Sequence, residues 1–352
     1  MRCIYCAPWG ENGYTIAHNL DSASLKMILD RLSQMGFELV KFTGGEPTLR
    51  KDLTDIIQFS STRFRETRII TNGWNLSTIA PSLRAGGLSS LEISMDAADP
   101  ASYVHMTQTS PAMYSAVRAG IAAAKQLGFP IQINMVLMRQ NFDQIEPMLS
   151  LITEIGDVTL KILELVYYEY PGYEFWKRNF VSMDEVIPIV SRHSKESTWT
   201  APPGNIGSPS PVFHLQNGAQ VIIKDGKVGT SYASVCAGCP LFPCQDGLYG
   251  LTLTHEGYLK MCKHRTDLYI PLFEMRDGER VVTDDTINRG LEEALKRYAG
   301  LYFQEGWTPE MVERHKDTHL VKPTPLVVKW YRKKEYGAGF AEALLQQGRE
   351  RS

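Results

Sequence analysis

Residues 37–53 read FELVKFTGGEPTLRKDL, and this stretch decides the fold class. Its first part predicts a strand that runs into a glycine turn, and the residues from 52 onward have helical spacing. Gly44 and Gly45 at the strand end let the backbone approach a ligand closely. Glu46 adds a carboxylate there that can pair with a cationic amine. A βα turn with a solvent-facing glutamate is the alternative interpretation.

The same alternation continues on both sides of this stretch. Helical spacing precedes it at 23–36 and recurs at 111–128, where a proline stands near the start and a glycine at the end. Further strands are predicted in TRIITNG, LSSLEISMD, PIQINMVLM and VTLKILELVYY. Apolar strands that alternate with helices imply a parallel sheet covered by helices. Five strands are predicted between residues 37 and 168.

A first strand is expected upstream of Met1. A helix precedes the first of the five strands, whereas a parallel α/β unit normally begins with a strand. The polar segment APWGENGYTIAHNLD after Cys6 is typical of the loop that would follow such a strand. With that strand the predicted fold class is α/β, a partial (β/α)6 TIM-like barrel followed by a C-terminal domain. Its active site would lie at the carboxyl ends of the strands.

The pattern changes from about residue 170. The stretch 201–212 is rich in Pro, Gly and Ser and predicts a loop or domain border. AQVIIKDGKVGTSY predicts a β-hairpin that turns at Asp225 and Gly226. A helix is predicted over 284–300, and the tail from 323 is predicted to be irregular and to end in a short helix.

Composition excludes several classes of protein. The chain has 352 residues, a formal net charge of -2 and 43% hydrophobic residues. This balance gives no electrostatic footprint for nucleic acid or a membrane surface. The longest apolar runs fall short of a membrane span, and no signal segment opens the chain. We therefore predict a cytoplasmic protein without nucleic-acid or membrane partners.

The six cysteines fall into two groups, Cys3 with Cys6 and a later group of Cys236, Cys239, Cys244 and Cys262. A secreted disulfide framework would usually be shorter and denser in cysteine. Buried structural cysteines would be scattered singly. Several thiolates at close spacing are what metal or iron–sulfur ligation requires, so ligation is predicted for both groups.

The pair in MRCIYC and the GGEP motif some forty residues later resemble the signature of the radical S-adenosylmethionine (radical SAM) enzymes. One more cysteine, four positions before Cys3, would complete Cys-x-x-x-Cys-x-x-Cys. We expect that cysteine on the same upstream segment as the first strand, in preference to a degenerate relic. The resemblance implies a [4Fe–4S] cluster that binds S-adenosylmethionine and cleaves it to a 5'-deoxyadenosyl radical.

One family fits over roughly residues 1–300, the GTP 3',8-cyclase of molybdenum cofactor biosynthesis. KFTGGEPTLRKDL, IITNG, LEISMDAADP, IQINMVLM and LELV look like its successive strands, and LTLTHEGYLKMC looks like its C-terminal cluster segment. The resemblance implies that the cofactor is bound by Tyr5, Gly44, Gly45, Glu46, Pro47, Ser94 and Val166. It implies substrate contacts from Lys41, Thr71 and Gln132. A turn residue and a core residue are the alternatives for Thr71 and Val166.

The second cysteine group departs from that family, which uses three cysteines and leaves one iron open to guanine. Four cysteines could close an auxiliary [4Fe–4S] cluster, as in the SPASM and twitch subfamilies; a zinc site is the alternative. The implied domains are a radical SAM core over 1–170, a connecting segment with a β-hairpin over 171–235, an auxiliary-cluster domain over 236–300 and a tail over 301–352.

Most cations that would hold a triphosphate are missing from the positions that this family uses. Gly250 and Thr252 stand where the cyclase has two arginines, and Gln132 stands where it has a lysine. Lys41 replaces an arginine and is the only cation kept. A charge-assisted hydrogen bond is worth about 1.5–3 kcal/mol, so we expect a substrate other than GTP.

The leading prediction is a radical SAM enzyme that abstracts hydrogen from a small molecule for a rearrangement, cyclisation or oxidation, with a reductant such as flavodoxin or ferredoxin. The alternatives are the GTP cyclase itself, a peptide-modifying SPASM/twitch maturase and a non-catalytic metal-stabilised binding protein. No residue is assigned as catalytic. Possible pocket residues are the aromatic stretch 167–176 with Glu169 and Glu174, the trio Lys263, His264 and Arg265, and Glu164, for each of which a structural role is the alternative.

Overall fold

The computed structural model describes residues 1–6, 19–168, 171–200 and 207–316 and the backbone of 327–332. Its helices are α1 (Ser22–Gln34), α2 (Leu53–Ser61), α3 (Leu76–Ala85), α4 (Pro100–Thr107), α5 (Pro111–Gln126), α6 (Ile145–Ile155), α7 (Tyr173–Asn179), α8 (Met183–His193), α9 (Asp284–Arg297) and α10 (Glu310–His315). Its strands are β1 (Phe37–Phe42), β2 (Glu66–Thr71), β3 (Ser90–Ser94), β4 (Ile131–Leu137), β5 (Val158–Glu164), β6 (Glu196–Thr200), β7 (Ser210–His214), β8 (Gln220–Lys224), β9 (Thr230–Tyr232), β10 (Leu251–Thr254), β11 (Tyr258–Lys260), β12 (Ile270–Pro271), β13 (Glu274–Arg276), β14 (Glu279–Val281), β15 (Tyr302–Gln304) and β16 (Val327–Arg332).

Six parallel strands form the centre of a twelve-stranded sheet. Strands β1 to β5 pair in chain order, and β8 pairs in parallel with β5. The five strands predicted between residues 37 and 168 are all present, and the predicted α/β class is confirmed. Ile69, Ile93 and Ile162 on these strands are fully buried, because helices cover the sheet.

The hairpin predicted at Asp225 and Gly226 is wrong. Strand β8 ends just before these residues, and β9 pairs antiparallel with β15 in a separate sheet. The chain instead makes a hairpin between β7 and β8. Val221 and Ile223 are fully buried on β8, and a place between β5 and β7 in the large sheet provides that burial.

The edge of β1 is occupied by β16, which runs antiparallel to it and also pairs antiparallel with β10. The sequence predicted an irregular tail here, so the prediction is wrong at 327–332. Through β16 the sheet continues from the parallel strands into β10, β11 and β12. The loops expected at 7–18 and 201–206, and the remaining tail with its short helix, lie outside the described residues. The domain boundaries stay predictions.

Helices α3 and α5 approach each other closely at Gly120. A Cβ atom there would lie 2.8 Å from the carbonyl oxygen of Gly73 and 2.9 Å from Cβ of Leu76. Gly73 has φ +79°, a conformation that favours glycine, and it follows the end of β2. The contact therefore holds the turn after β2 in place. No helix of the described ranges is both long and apolar enough to cross a membrane.

We expect Gly120→Ala to lower the free energy of unfolding by about 1–3 kcal/mol, because the added methyl group meets backbone that cannot rotate away. Urea denaturation measures this change. The control is Ser115→Ala at an exposed position of the same helix, which should change stability by less than about 0.5 kcal/mol. A Gly120→Ala variant as stable as the parent would show that helix propensity outweighs the close contact.

Candidate active site

A cavity of about 340 Å³ opens among the parallel strands and the segments that follow them. Its volume is in the range of small-molecule pockets. It lies at the carboxyl ends of the parallel strands, where the sequence predicted the active site. The lining residues used below are Tyr5, Lys41, Glu92, Asn134, Lys161, Glu164, Val166, Tyr168, Phe175, Trp176, Lys224, Asp246, Tyr249 and Lys263. Three predicted contacts, Tyr5, Lys41 and Val166, are among them.

A buried charge network crosses the floor of this cavity from β1 to β4. Lys41 Nζ lies 2.5 Å from Glu92 Oε1, and Asn134 Nδ2 donates to Glu92 Oε2 at 3.2 Å. Gln132 in turn donates to Asn134 Oδ1 at 2.7 Å, so this predicted substrate residue reaches the cavity through Asn134. Burial alone would raise the pKa of Glu92, but the ammonium of Lys41 lowers it to about 2.

Four lysines line the cavity, on different parts of the chain: Lys41, Lys161, Lys224 and Lys263. Lys161 is half-buried on β5, and burial together with the nearby charge of Lys41 lowers its pKa to about 8. Strand register pairs Lys224 of β8 with Leu163 of β5, which lies two residues after Lys161. The sequence analysis named Lys41 and Lys263 but missed Lys161 and Lys224, because it had no strand register.

Glu46 is buried, so the solvent-facing alternative is wrong. Its carboxylate accepts hydrogen bonds from both the backbone and the hydroxyl of Thr48, from Thr71 Oγ1 at 2.7 Å and from the Asn72 N–H at 2.7 Å. Burial raises its pKa, and these bonds oppose that rise. Glu46 therefore joins the turn after β1 to the turn after β2 and brings Thr71 beside the GGEP motif.

The rest of the motif follows from this geometry. Gly44, with φ +145°, and Gly45 are exposed at the turn. Pro47 begins a short 3-10 helix, and the Glu46 side chain caps it by accepting a hydrogen bond from the Thr48 N–H. Ser94 ends β3 at the same edge of the sheet. Because these residues were assigned by resemblance alone, their roles stay predictions.

The N-terminal cysteines are docked on α4 and β3. The N–H of Ile4 donates to the carbonyl of Met106, and the N–H of Cys6 donates to the carbonyl of Cys3. Tyr5 OH donates to Asp96 Oδ2 at 2.8 Å, and the N–H of Val136 donates to Asp96 Oδ1 at 2.8 Å.

Asp96 was missed by the sequence analysis. Burial raises its pKa to about 6. The available signal was an acidic residue two positions after a buried strand, at the edge where the site was expected. A hydrogen bond with Cys6 and burial raise the pKa of the Cys3 thiol, so the two cysteines lie close enough to share one ligand.

The second cysteine group lines one small, apolar cavity: Cys236, Cys239, Cys244 and Cys262 all contribute to it. Within the described residues, no three side chains of the ligand types converge closely enough to hold a single ion. Four thiols that line one cavity are suited to ligate one group together, and the iron–sulfur cluster stays a prediction with zinc as its alternative. The N–H of Gly247 donates to Cys244 Sγ, and this bond opposes the rise that burial causes in the pKa of the thiol.

Asp246 lies between the two cavities and is buried. Its carboxylate accepts hydrogen bonds from the hydroxyls of Tyr168 and Tyr249, and Lys263 Nζ lies 2.7 Å away. Although burial would raise its pKa, Lys263 and His264 hold that pKa well below the usual value. Lys263 thus belongs to the large cavity and His264 to the cysteine cavity, as does Arg265, which also pairs with Asp267.

The described aromatic residues of the stretch 167–176 have both predicted roles: some line the cavity, and others pack as structural residues beside it. Tyr168, Phe175 and Trp176 line the large cavity. Tyr167 and Tyr173 pack edge-on and stacked against Trp176 as part of the rim. Glu174 is exposed, and Glu169 lies outside the described residues.

Comparisons with known proteins agree with this geometry. Residues 1–152 match the family model described as the radical SAM superfamily. The GTP 3',8-cyclase of Peptoclostridium acidaminophilum is 28% identical over 305 residues, which cover 84% of this chain and 87% of that protein. The GTP 3',8-cyclase of Limosilactobacillus fermentum is 27% identical over 304 residues, which cover 84% and 83%.

A solved structure is also similar in part. Streptococcus suis SuiB bound to its precursor peptide SuiA has a TM-score of 0.43 and 17% identity, and the match covers 53% of this chain and 41% of that chain. The cyclase relatives overturn our leading prediction of a substrate other than GTP, which is wrong; they support the cyclase alternative. The sequence comparison considered only the positions that the family uses, whereas Lys161, Lys224 and Lys263 line the same cavity as Lys41.

We expect Glu92 to stabilise the fold only where it is ionised. Its pKa is lowered from 4.5 to about 2, so its contribution is complete above pH 4.5 and is lost as the pH falls towards 2. Between pH 7 and pH 3.5 the loss should be about 1.4 kcal/mol. Urea denaturation at both pH values should show this difference for the parent protein relative to Glu92→Gln.

The matched control is Glu38→Gln, whose partner Arg65 is exposed and whose removal should cost less than about 1 kcal/mol. Glu92→Gln itself should be less stable at pH 7 by about 3–5 kcal/mol, because Lys41 is then left without its carboxylate. An unchanged stability at pH 7 would contradict the importance of this pair.

Proposed function

We propose that this chain, which is a radical SAM enzyme with a [4Fe–4S] cluster and S-adenosylmethionine as cofactors, acts on GTP as a 3',8-cyclase. The observation that carries the proposal is the lysine-lined cavity at the carboxyl ends of the strands. The cyclase relatives, which match over most of their own length, supply the identity of the substrate.

Four lysines suit a triphosphate because each ammonium is a point charge with three donors. Burial, and then the charge of Lys41, lower the pKa of Lys161, so this ammonium lies near a second positive charge in the cavity. A bound phosphate would relieve this repulsion and raise that pKa again. Lys224 and Lys263 extend the positive wall towards Tyr249, over whose ring both ammonium groups lie.

Cys3 and Cys6 would hold the catalytic cluster, which when bound would supply the electron that cleaves S-adenosylmethionine. The residues around it do the positioning. Tyr5 ties the cysteine segment to Asp96, and Glu46 fixes the glycine turn against which the cofactor's methionine part would lie. Ser94 and Val166 complete the proposed cofactor site on β3 and after β5.

The second cluster of the homologues is proposed to lie on Cys236, Cys239, Cys244 and Cys262, within an auxiliary segment over 236–300. Its apolar cavity excludes water from the sulfurs, and the Gly247 N–H stabilises the thiolate of Cys244. Radical SAM enzymes need a reductant, and we propose a flavodoxin or ferredoxin in the cytoplasm.

Turnover tests the proposal directly. Anaerobically reconstituted protein with S-adenosylmethionine, GTP and dithionite should form 5'-deoxyadenosine and consume GTP, both followed by liquid chromatography with mass detection. Cys3→Ala should neither form 5'-deoxyadenosine nor consume GTP. Formation of 5'-deoxyadenosine while GTP stays intact would contradict the choice of substrate and leave the radical SAM chemistry standing.

We expect Lys161→Met to weaken GTP binding about 10- to 150-fold, because one charge-assisted phosphate contact is worth about 1.5–3 kcal/mol. Equilibrium dialysis with labelled GTP measures the dissociation constant. The control is Lys26→Met, since Lys26 pairs with Asp55 on the surface, and it should bind GTP as the parent does. Equal affinity of both variants would contradict a phosphate site at β5.

A further inference from the structure

Arg265 places a positive charge at the cavity that the second cysteine group lines. Its side chain lines this cavity together with all four cysteines of the group. Arg265 Nη1 donates to the carbonyl of Val235, the residue before Cys236, at 3.4 Å. Most of the other side chains around the cavity are apolar, so the charge acts on the sulfur atoms through a region of low polarity.

The partner of Arg265 lies on the solvent side. Arg265 Nε and Nη2 donate to the two carboxylate oxygens of Asp267, at 3.1 and 2.5 Å. The side chain of Arg265 is 23% exposed, whereas that of Asp267 is 58% exposed. Water therefore screens the carboxylate more strongly than the guanidinium, and a net positive field remains at the cavity.

Arg265 and the thiols act on each other's ionisation. Burial raises the pKa of the Cys236 thiol, whereas the charge of Arg265 lowers it. The pKa of Arg265 is itself raised, first by Asp267 and then by the charges of Cys239 and Cys262. The guanidinium is thus within electrostatic reach of three of the four cysteines.

Backbone donors act in the same direction as this charge. The Gly247 N–H donates to Cys244 Sγ at 3.3 Å. Backbone hydrogen bonds from His264 and Arg265 oppose the rise that burial causes in the pKa of Cys262. Reduction adds one electron to a cluster that four thiolates already make negative, so positive charge and N–H donors at the sulfurs favour the reduced form.

We propose that Arg265 raises the reduction potential of the auxiliary cluster by stabilising its reduced form, and that the second cysteine group is therefore a redox site rather than only a structural one. In this step the cluster takes up one electron from a flavodoxin or ferredoxin, and no bond forms or breaks. The inference rests on the auxiliary cluster of the proposed function and names a residue that tunes it.

The midpoint potential of the cluster tests this inference on the full chain. Cys3→Ala combined with Cys6→Ala removes the catalytic cluster, so that only the second cysteine group binds a cluster after anaerobic reconstitution. In this background, a titration with dithionite followed by EPR measures the potential. Arg265→Gln should lower the ratio of reduced to oxidised cluster about tenfold at the midpoint of the background chain, which is ~59 mV for one electron. Arg265→Lys keeps the positive charge and should restore most of this loss.

Asp267→Asn provides a test with the opposite sign. It removes the negative charge beside Arg265 and keeps the guanidinium, so the potential should rise. The control is Arg289→Gln on α9, because the side chain of Arg289 is 66% exposed and pairs with Glu274. This control should leave the potential unchanged.

Two results would overturn the inference while the auxiliary cluster stands: an unchanged potential in Arg265→Gln, or a shift in the same direction in Arg265→Gln and Asp267→Asn. If Arg265→Gln fails to bind iron, Asp267→Asn decides, since a potential that does not rise there contradicts the inference. If the background chain binds zinc in place of iron, the inference and the proposed auxiliary cluster fail together. Turnover of GTP by the parent protein is measured separately, so the proposed activity is judged on its own.

Discussion

Parallel alignment of six strands is the constraint on which the site depends. Because β1 to β5 and β8 point the same way, side chains that are far apart in the chain meet in one cavity. The same alignment brings charged side chains of several strands together in one buried region. Lys41 and Glu92 form a buried ion pair and so compensate each other's charge. Lys161 lies near this pair, and its ammonium is proposed to bind an anion.

Periodicity was sufficient to predict the strands that carry this site, because apolar residues on β1 to β5 repeat as a buried parallel sheet requires. The glycine turn with Glu46 was also predictable, since glycines there allow a conformation that other residues rarely adopt. The two cysteine groups followed from spacing alone. Local sequence signals thus accounted for the strands that frame the site, while the roles of its candidate ligands stay predictions.

Register and long-range pairing were not predictable. Lys161 and Lys224 read as ordinary strand residues until β5 and β8 are placed side by side. Gly250, Thr252 and Gln132 are uncharged at positions where the family has cations. A comparison of single positions cannot identify cations that other parts of the chain bring to the same cavity. Asp96 was overlooked for a similar reason, because its partner Tyr5 lies about ninety residues away in the chain. Residues 244–247 show the same effect: Cys244 lines one cavity, while Gln245 and Asp246 bind groups of the other.

Strand β16 has a consequence for synthesis of the protein. It pairs with β1, in a register that places Phe37 opposite Arg332, so that edge of the sheet can form only after Arg332 has been synthesised. On the ribosome, all residues between β1 and β16 emerge while β1 has no neighbour on that side. Contacts between such distant residues are slow to form, because a long loop must close first. Among the described strands β16 is the last to be translated, and it covers the free edge of β1, so this edge of the sheet forms late in synthesis.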